Sequence, residues 1–537
     1  MITFDNSPTV YWLLGYILAG IVILSALFKK LPLPVFLLLI IALLVFMRLP
    51  ALVLNRELNP DESQMLSHAI TLYQDPVYWR SVDGTTIGPL DNYLLVIPRI
   101  FGFQIDYVSG RIMGFLCVSG ALLLLFSTLK NWYGDIYARR VILAPLLFLS
   151  FTQEFDFVHY SSEQLPVFLL ALAIWIFSKV TQRIGSGNIN NYLLGLTLGI
   201  IPFAKLQAVP QAVVITVAAI WVGFKWYQQT KKIQPLLMLI VGGISFPAIA
   251  LIWAMYHHVF NDFVDFYLLG NVIYAGGSDS EPILMQLMKI VDASPDFSTF
   301  AYMLLIPVLA GAGLTIVELR KSANLLLFAV PITIIALVIA SIYAITKSGN
   351  AFVHYLNFCI IPWTLLAAYG IKRFRKWALV IPCIIMVWFI ANDAISYKRH
   401  RKLNNLVSVN ATRIKESPVV KELKKYARAR DFMVVWGWQC MYYVEAQLAQ
   451  GTAENHSERS IFKHNLSEKY RSRYLSDMER TKPAVFIDAV GKNSSWVQDK
   501  KTQGFESYPA LAQYVNANYR FVGEFNDTRL YIRKERL

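Results

Sequence analysis

Long runs of apolar residues, broken at intervals by charged or turn-forming stretches, fill the first three quarters of the chain. Twelve runs, at about 10–28, 33–54, 107–129, 141–158, 163–179, 191–204, 207–226, 236–256, 299–318, 323–343, 355–371 and 377–393, predict membrane-spanning helices. A helix needs about 20 apolar residues to cross the hydrocarbon. The runs are continuously apolar where the strands of a membrane barrel would alternate, which excludes a barrel. After residue 393 the pattern changes. DFMVVWGW (431–438), PAVFIDAV (483–490), YRFVGEF (519–525) and TRLYIRKE (528–535) predict strands, and MYYVEAQLA (441–449) and LAQYVNAN (511–518) predict helices. The expected architecture is a polytopic α-helical membrane protein with about 12 transmembrane helices (residues 1–393), followed by a soluble α/β domain (394–537).

Composition agrees with this division. Of 537 residues, 56% are hydrophobic and 16% charged, too apolar for an ordinary soluble protein. The net charge is +15, and the residues after 393 carry 26 of the 50 Lys and Arg but only 15 of the 35 acids, so the tail alone holds +11. The four cysteines offer no disulfide framework and no zinc spacing; only Cys440 lies in the tail. The first apolar run has no basic residue before it and no small-residue cleavage site after it, which predicts a retained helix and not a signal peptide.

Loop charge sets the sidedness. Alternate short loops carry Lys29 and Lys30; Lys130, Arg139 and Arg140; Lys179 and Arg183; Lys225, Lys231 and Lys232; Arg320 and Lys321; and Lys372, Arg373, Arg375 and Lys376. The opposite loops are longer and hold only Arg56, Arg80, Arg99, Lys205, Lys289 and Lys347. Cytoplasmic loops are the basic ones, so the N-terminus, the loops at about 55–106 and 257–298, and the tail are expected outside. In the second of these loops, Phe260, Phe263, Phe266 and Tyr267 predict an interfacial helix, with Gly276-Gly277-Ser278 as its hinge.

The outer side also holds the candidate chemistry. Asn59-Pro60-Asp61-Glu62 reads as a helix start, with Asn59 as the cap, Pro60 at the first position and Glu62 in the reciprocal capping position. The same geometry keeps a carboxylate ionised at the positive end of a helix, which suits a general base working just outside the bilayer. His159-Tyr160-Ser161-Ser162-Glu163 repeats the theme before the next span, and Lys205 interrupts IIPFA and LQAVP. The structural readings are an N-cap for the first and a snorkelling anchor for the second.

Asp61-Glu62, Ala69, Tyr78, Gly88-Pro89, Phe101-Gly102 and Arg111 follow one another in an order that resembles the first extracytoplasmic loop of GT-C membrane glycosyltransferases. The likeness is to the branch containing protein O-mannosyltransferases and the lipid A aminoarabinose transferase. The segment departs from that pattern at Ser63–Leu66, which lacks a tyrosine, and at Gln74-Asp75, which replaces a glycine. Glu163 stands where the family usually has Asp, His354-Tyr355 matches a His-Tyr pair of many members, and Trp436-Gly437-Trp438 with Tyr442-Tyr443 is similar to a segment of their periplasmic domains.

The resemblance implies an inverting glycosyltransferase of the bacterial inner membrane, with its C-terminal domain in the periplasm. It would use a polyprenyl-phosphate-linked sugar and an acceptor hydroxyl on a glycolipid, polysaccharide or protein, amid membrane lipids and without nucleic acid. Asp61 would be the base, assisted by Glu62 or Glu163. Lys205, with Arg56, Arg80 and Lys347, would hold the donor phosphate, and Tyr78, His354 and Tyr355 would contact substrate. The resemblance requires no cofactor and leaves a divalent cation open. Two other classes fit less well: a lipid-linked saccharide flippase would carry charges at mid-membrane, where Arg48 is the main example, and a non-catalytic scaffold would share the same fold. With the other three cysteines removed, Cys440 is expected to label with an impermeant thiol reagent from the outer side once mild denaturant opens its domain. Labelling only from the cytoplasmic face would invert the topology.

Overall fold

The structure is a computed structural model describing residues 8–28, 30–182, 187–276, 281–321, 329–401, 403 and 413–537. Lys29, Arg183 and the hinge at Gly277-Ser278 lie outside the described residues. The chain forms two compact units. One comprises the described residues up to 53, 114–252 and 274–403; the other comprises 54–113, 253–273 and 413–537.

The first unit is helical. Among the described residues of the whole chain, eight helices are long and apolar enough to cross a membrane: Leu33–Val53, Tyr107–Tyr133, Gln164–Gln182, Leu206–Thr230, Gln234–Tyr256, Pro295–Glu318, Ala329–Thr346 and Trp377–His400. The other four expected spans are helical but shorter. They are Val10–Ser25, Asn188–Ala204, the 141–158 run, which splits into Leu143–Phe151 and Phe155–Val158, and the 355–371 run, a 3-10 turn at Val353–Leu356 leading into Asn357–Gly370. All nine residues of Leu143–Phe151 are buried, and so is nearly all of Asn357–Gly370. Broken helices at membrane depth are tolerated where protein surrounds them. Arg48 shows how the break is satisfied: its Nε donates to the Leu149 carbonyl at 2.7 Å and its Nη1 to the Phe157 carbonyl at 2.6 Å. The buried cation thus serves backbone carbonyls on both sides of the interruption.

Helices in this unit approach closely where a side chain is missing. A Cβ built on Gly370 would lie 1.9 Å from the Pro307 carbonyl oxygen, and one on Gly311 would lie 2.5 Å from that of Leu366. The Pro295–Lys321 and Asn357–Gly370 helices therefore touch backbone to backbone, the small-residue packing that lipid-embedded helices favour.

The second unit is built on a five-stranded mixed sheet of order β2-β1-β3-β5-β4, with β1 Phe432–Trp436, β2 Ala449–Gln450, β3 Val485–Asp488, β4 Tyr519–Phe525 and β5 Thr528–Arg533. β1 runs parallel to β2 and β3, while β5 is antiparallel to β3 and β4. Alternate residues serve two cores. Met433, Val435, Ile487 and Ile532 pack with Val420, Leu423 and Tyr443 on one face. Val434, Trp436, Phe486 and Tyr531 pack with Tyr474, Met478 and Val515 on the other. Both faces are covered, so these strands read as continuous apolar runs.

The 54–113 loop is part of this unit. Its helix Pro60–Gln74 has eleven buried residues, many of them polar. Gln64 and His456 lie 3.1 Å apart, Asn455 donates to the Gln64 carbonyl at 2.8 Å, the Gln450 N–H donates to Thr71 Oγ1 at 3.0 Å, and Asp83 pairs with Arg473. The 257–273 segment joins too. Phe263 meets the Trp79 ring at 4.9 Å, Phe266 meets Tyr470 at 4.7 Å, and Lys469 pairs with Asp265 at 2.6 Å. The expected interfacial face of this segment is thus a correction: Phe263, Phe266 and Tyr267 are buried against protein, with the backbone in a π-helical turn at Phe263–Leu269. The bundle's close contact is testable with two variants of one helix. Gly311→Val should cost about 1–3 kcal/mol by overpacking, while Gly313→Val, whose Cβ meets nothing within 4 Å, should leave the melting temperature in detergent unchanged.

Candidate active site

The acidic pair at the start of Pro60–Gln74 divides into two kinds of carboxylate. Asn59 caps the helix in extended backbone, its Oδ1 accepting from the Asp61 N–H at 3.0 Å. Glu62 is 1% exposed and takes a bidentate fork from Arg111, Nε to Oε1 at 2.7 Å and Nη2 to Oε2 at 2.6 Å. The Leu58 N–H also donates to Glu62, at 3.0 Å. Arg111 further donates to the carbonyls of Leu54 and Arg56. One guanidinium therefore ties the helix start to the turn before it. Asp61 points elsewhere: it is partly exposed, and among the described residues its carboxylate takes no hydrogen bond and no ion pair. Glu57, just upstream, accepts from the Ser63 hydroxyl. Burial pushes its carboxyl up to about 7, with Ser63 pulling down and Glu62 pushing up.

In the membrane unit a second constellation forms. Lys205 leaves the end of Asn188–Ala204 in extended backbone and points its Nζ at Glu163 and at Ser162 Oγ, the latter at 2.6 Å. Both charges are at most 3% exposed. Burial would raise the Glu163 carboxyl, but the Lys205 ammonium overrides it and holds the group at about 2. The Tyr355 ring lies 5.3 Å from the ammonium, and its hydroxyl is 3.0 Å from that of Tyr274. His354 Nδ1 sits 3.1 Å from Asp156 Oδ1. Glu163 Oε2 and His159 Nε2 are buried with no hydrogen-bond partner among the described residues.

Comparison with protein-family models and with curated proteins finds no match. Among solved structures, ArnT from Cupriavidus metallidurans bound to undecaprenyl phosphate matches with a TM-score of 0.58 and 11% identity, over 93% of this chain and 98% of that one. The same protein in the apo state matches at 0.56 and 11%, over 92% and 97%. The chain has the fold of these ArnT structures. The oligosaccharyltransferase AglB from Archaeoglobus fulgidus, with an inhibitory peptide and a dolichol-phosphate, matches at 0.43 and 11%, over 93% of this chain and 74% of that one.

Within this fold, Glu163, Lys205 and Tyr355 gather in one cluster with His354 beside them, and Glu62 is committed to Arg111. The other candidates are placed differently. Arg56 donates to the backbone carbonyls of Asn55 and Arg413. Arg80 is exposed and paired with Asp75 at 2.5 Å. Lys347 is exposed at the end of Ala329–Thr346. Tyr78 is 1% exposed, its hydroxyl donating to the Ile87 carbonyl at 3.1 Å and accepting from Asn92 at 2.8 Å, so its polar end is used inside the loop. Asp156, Ser162 and His159 belong to the cluster; Ser162 and His159 lie in the segment the sequence marks as a helix start, whereas Asp156 carries no such mark. Among the described residues no three or more His, Cys, Asp or Glu are arranged to hold a metal ion. If Glu62 is structural, Glu62→Gln or Arg111→Met should destabilise the protein by about 3–5 kcal/mol, the usual result of stranding one member of a buried pair. Asp61→Asn should change the melting temperature little, and differential scanning fluorimetry of the three variants separates the roles.

Proposed function

We propose that the chain transfers a sugar from a polyprenyl-phosphate donor to an acceptor hydroxyl, with inversion, on the outer side of a bacterial inner membrane. The observation that carries this reading is the uncommitted carboxylate of Asp61 beside a fully committed Glu62. A general base must have a lone pair to offer, and Asp61 stands in the first turn of its helix. The fold adds support, since ArnT, which shares it, is seen with undecaprenyl phosphate bound.

The step balances as a substitution. Asp61 takes the proton of the acceptor hydroxyl, the oxygen attacks C1 of the sugar, and the C1–O bond breaks with its electron pair leaving on the polyprenyl phosphate. Lys205 supplies cationic stabilisation to that phosphate; two of its three N–H groups engage Glu163 and Ser162, and the third is kept for the donor. Glu163 orients Lys205 and does not itself act as a base, because its carboxyl is held near 2 by the lysine. The basic outer tail, with a net charge of +11, holds anionic headgroups near the membrane surface.

The test is turnover of a radiolabelled polyprenyl-phosphate sugar by protein reconstituted in liposomes. Asp61→Asn should lose at least about 100-fold, the low end of general-base contributions, with insertion unchanged. Lys205→Ala should weaken both donor affinity and rate. Near-wild-type turnover by Asp61→Asn would remove Asp61 from the mechanism.

A further inference from the structure

β1 ends in Gly437, whose φ of +111° and close neighbours, 2.9 Å to the Ala489 carbonyl carbon and 3.0 Å to the Val490 nitrogen, admit no side chain. That turn delivers Trp438, which stacks flat on His456 at 4.2 Å with 4° between the planes. The loop after β3 runs alongside. Ser494 Oγ accepts from the Trp438 N–H at 3.0 Å, and Asn493 donates to the Asn526 carbonyl. Trp496, on the same loop, is 58% exposed with its ring 6.4 Å from Trp438. Large apolar rings left in water at a cleft mark binding surfaces more often than packing.

Trp438 and Asn493, with Gln439, Lys492 and Asn526, line a cavity of about 600 Å³ that Glu57 and Pro60 also border, a volume suited to a small ligand. Pro60 is the residue before Asp61. Cys440, also in the wall, has its thiol held well up by burial and then by the negative charges of Glu57 and Asp61, so the carboxylate of Asp61 is within electrostatic reach of the cavity wall. The lining includes one cation, Lys492, against one carboxylate, Glu57. A phosphate group would call for more positive charge than that. The indole N–H of Trp438 is buried with no acceptor among the described residues. Flat aromatic surface with side-chain amides and a carboxylate at its edge matches a ring that is apolar on its faces and hydroxylated at its rim.

We infer that this cleft is the acceptor site and that the acceptor is a saccharide, packed against Trp438 and held by Asn493 and Glu57 so that one hydroxyl reaches Asp61. The inference rests on the role proposed for Asp61, and it names the acceptor class. Full-length protein in nanodiscs is titrated with an array of free bacterial-envelope oligosaccharides, with the same oligosaccharides on a lipid anchor, and with a library of Ser- and Thr-containing peptides. Saccharides should bind, at least about tenfold more weakly to Trp438→Ala and to Asn493→Ala. Binding of anchored saccharides alone identifies a glycolipid acceptor, and binding of both forms a polysaccharide. No saccharide bound by the wild type, equal binding by Trp438→Ala and Asn493→Ala, or capture of peptides alone overturns the inference. Because the readout is binding and not turnover, a failed donor assay with saccharide binding intact would fault the catalytic reading and leave the cleft standing.

Discussion

The ion pair between Arg111 and Glu62 is the constraint on which the acidic helix start depends. Two charges taken out of water are tolerated only when every contact is well made, and here the guanidinium gives two hydrogen bonds to one carboxylate and further ones to two backbone carbonyls. Leu54 and Arg56 are drawn to the same group that grips the first turn of Pro60–Gln74. The path of the chain from the end of Leu33–Val53 into that helix follows from one side chain. Asp61, one residue earlier on the helix, is left to face outward because its neighbour cannot.

The membrane unit uses a related device with a different degree of completion. Lys205 and Glu163 are as buried as Arg111 and Glu62, but among the described residues Glu163 Oε2 and His159 Nε2 lack hydrogen-bond partners. Arg48, buried like both pairs, closes the backbone of a broken helix.

The bundle and the sheet were legible in the sequence wherever one rule governed. Apolar length marked the spans; β1 and β3 were predicted because both their faces are covered and the runs are unbroken, and β4 and β5 by their aromatic and β-branched residues, β4 being mostly half-buried or exposed. β2 escaped because two residues carry no pattern, and Ser467–Thr481 because its exposed surface is too polar to show a stripe. The site was legible in part. Asp61, Glu163, Lys205 and His354 stand out by type and place, but Asp156 was hidden inside an apolar run that predicts a continuous span. The partners of Tyr78 and Arg80 were beyond reach, since pattern tells where a side chain lies in an element and not which carbonyl or carboxylate it meets. The phenylalanines at 260–267 have the spacing of a membrane-lying face; only the presence of Trp79 and Tyr470, far off in sequence, shows that they have protein to cover them.

The extramembrane unit is assembled from three stretches separated by long tracts of bundle, and this has a consequence for biosynthesis. Asp83 and Gln64 emerge early from the ribosome, yet the residues that satisfy them, Arg473 and His456, are made hundreds of residues later. Until then the first loop exposes polar groups that will be interior and aromatic rings such as Trp79 that will be covered. Chains fold as they are made where contacts are local, and here they are not. The first loop must wait in an open state through the insertion of every later helix, exposed to proteases and chaperones. Loss of even the last strands would leave it there, so a truncated product is marked for removal by the very surface that the complete chain conceals.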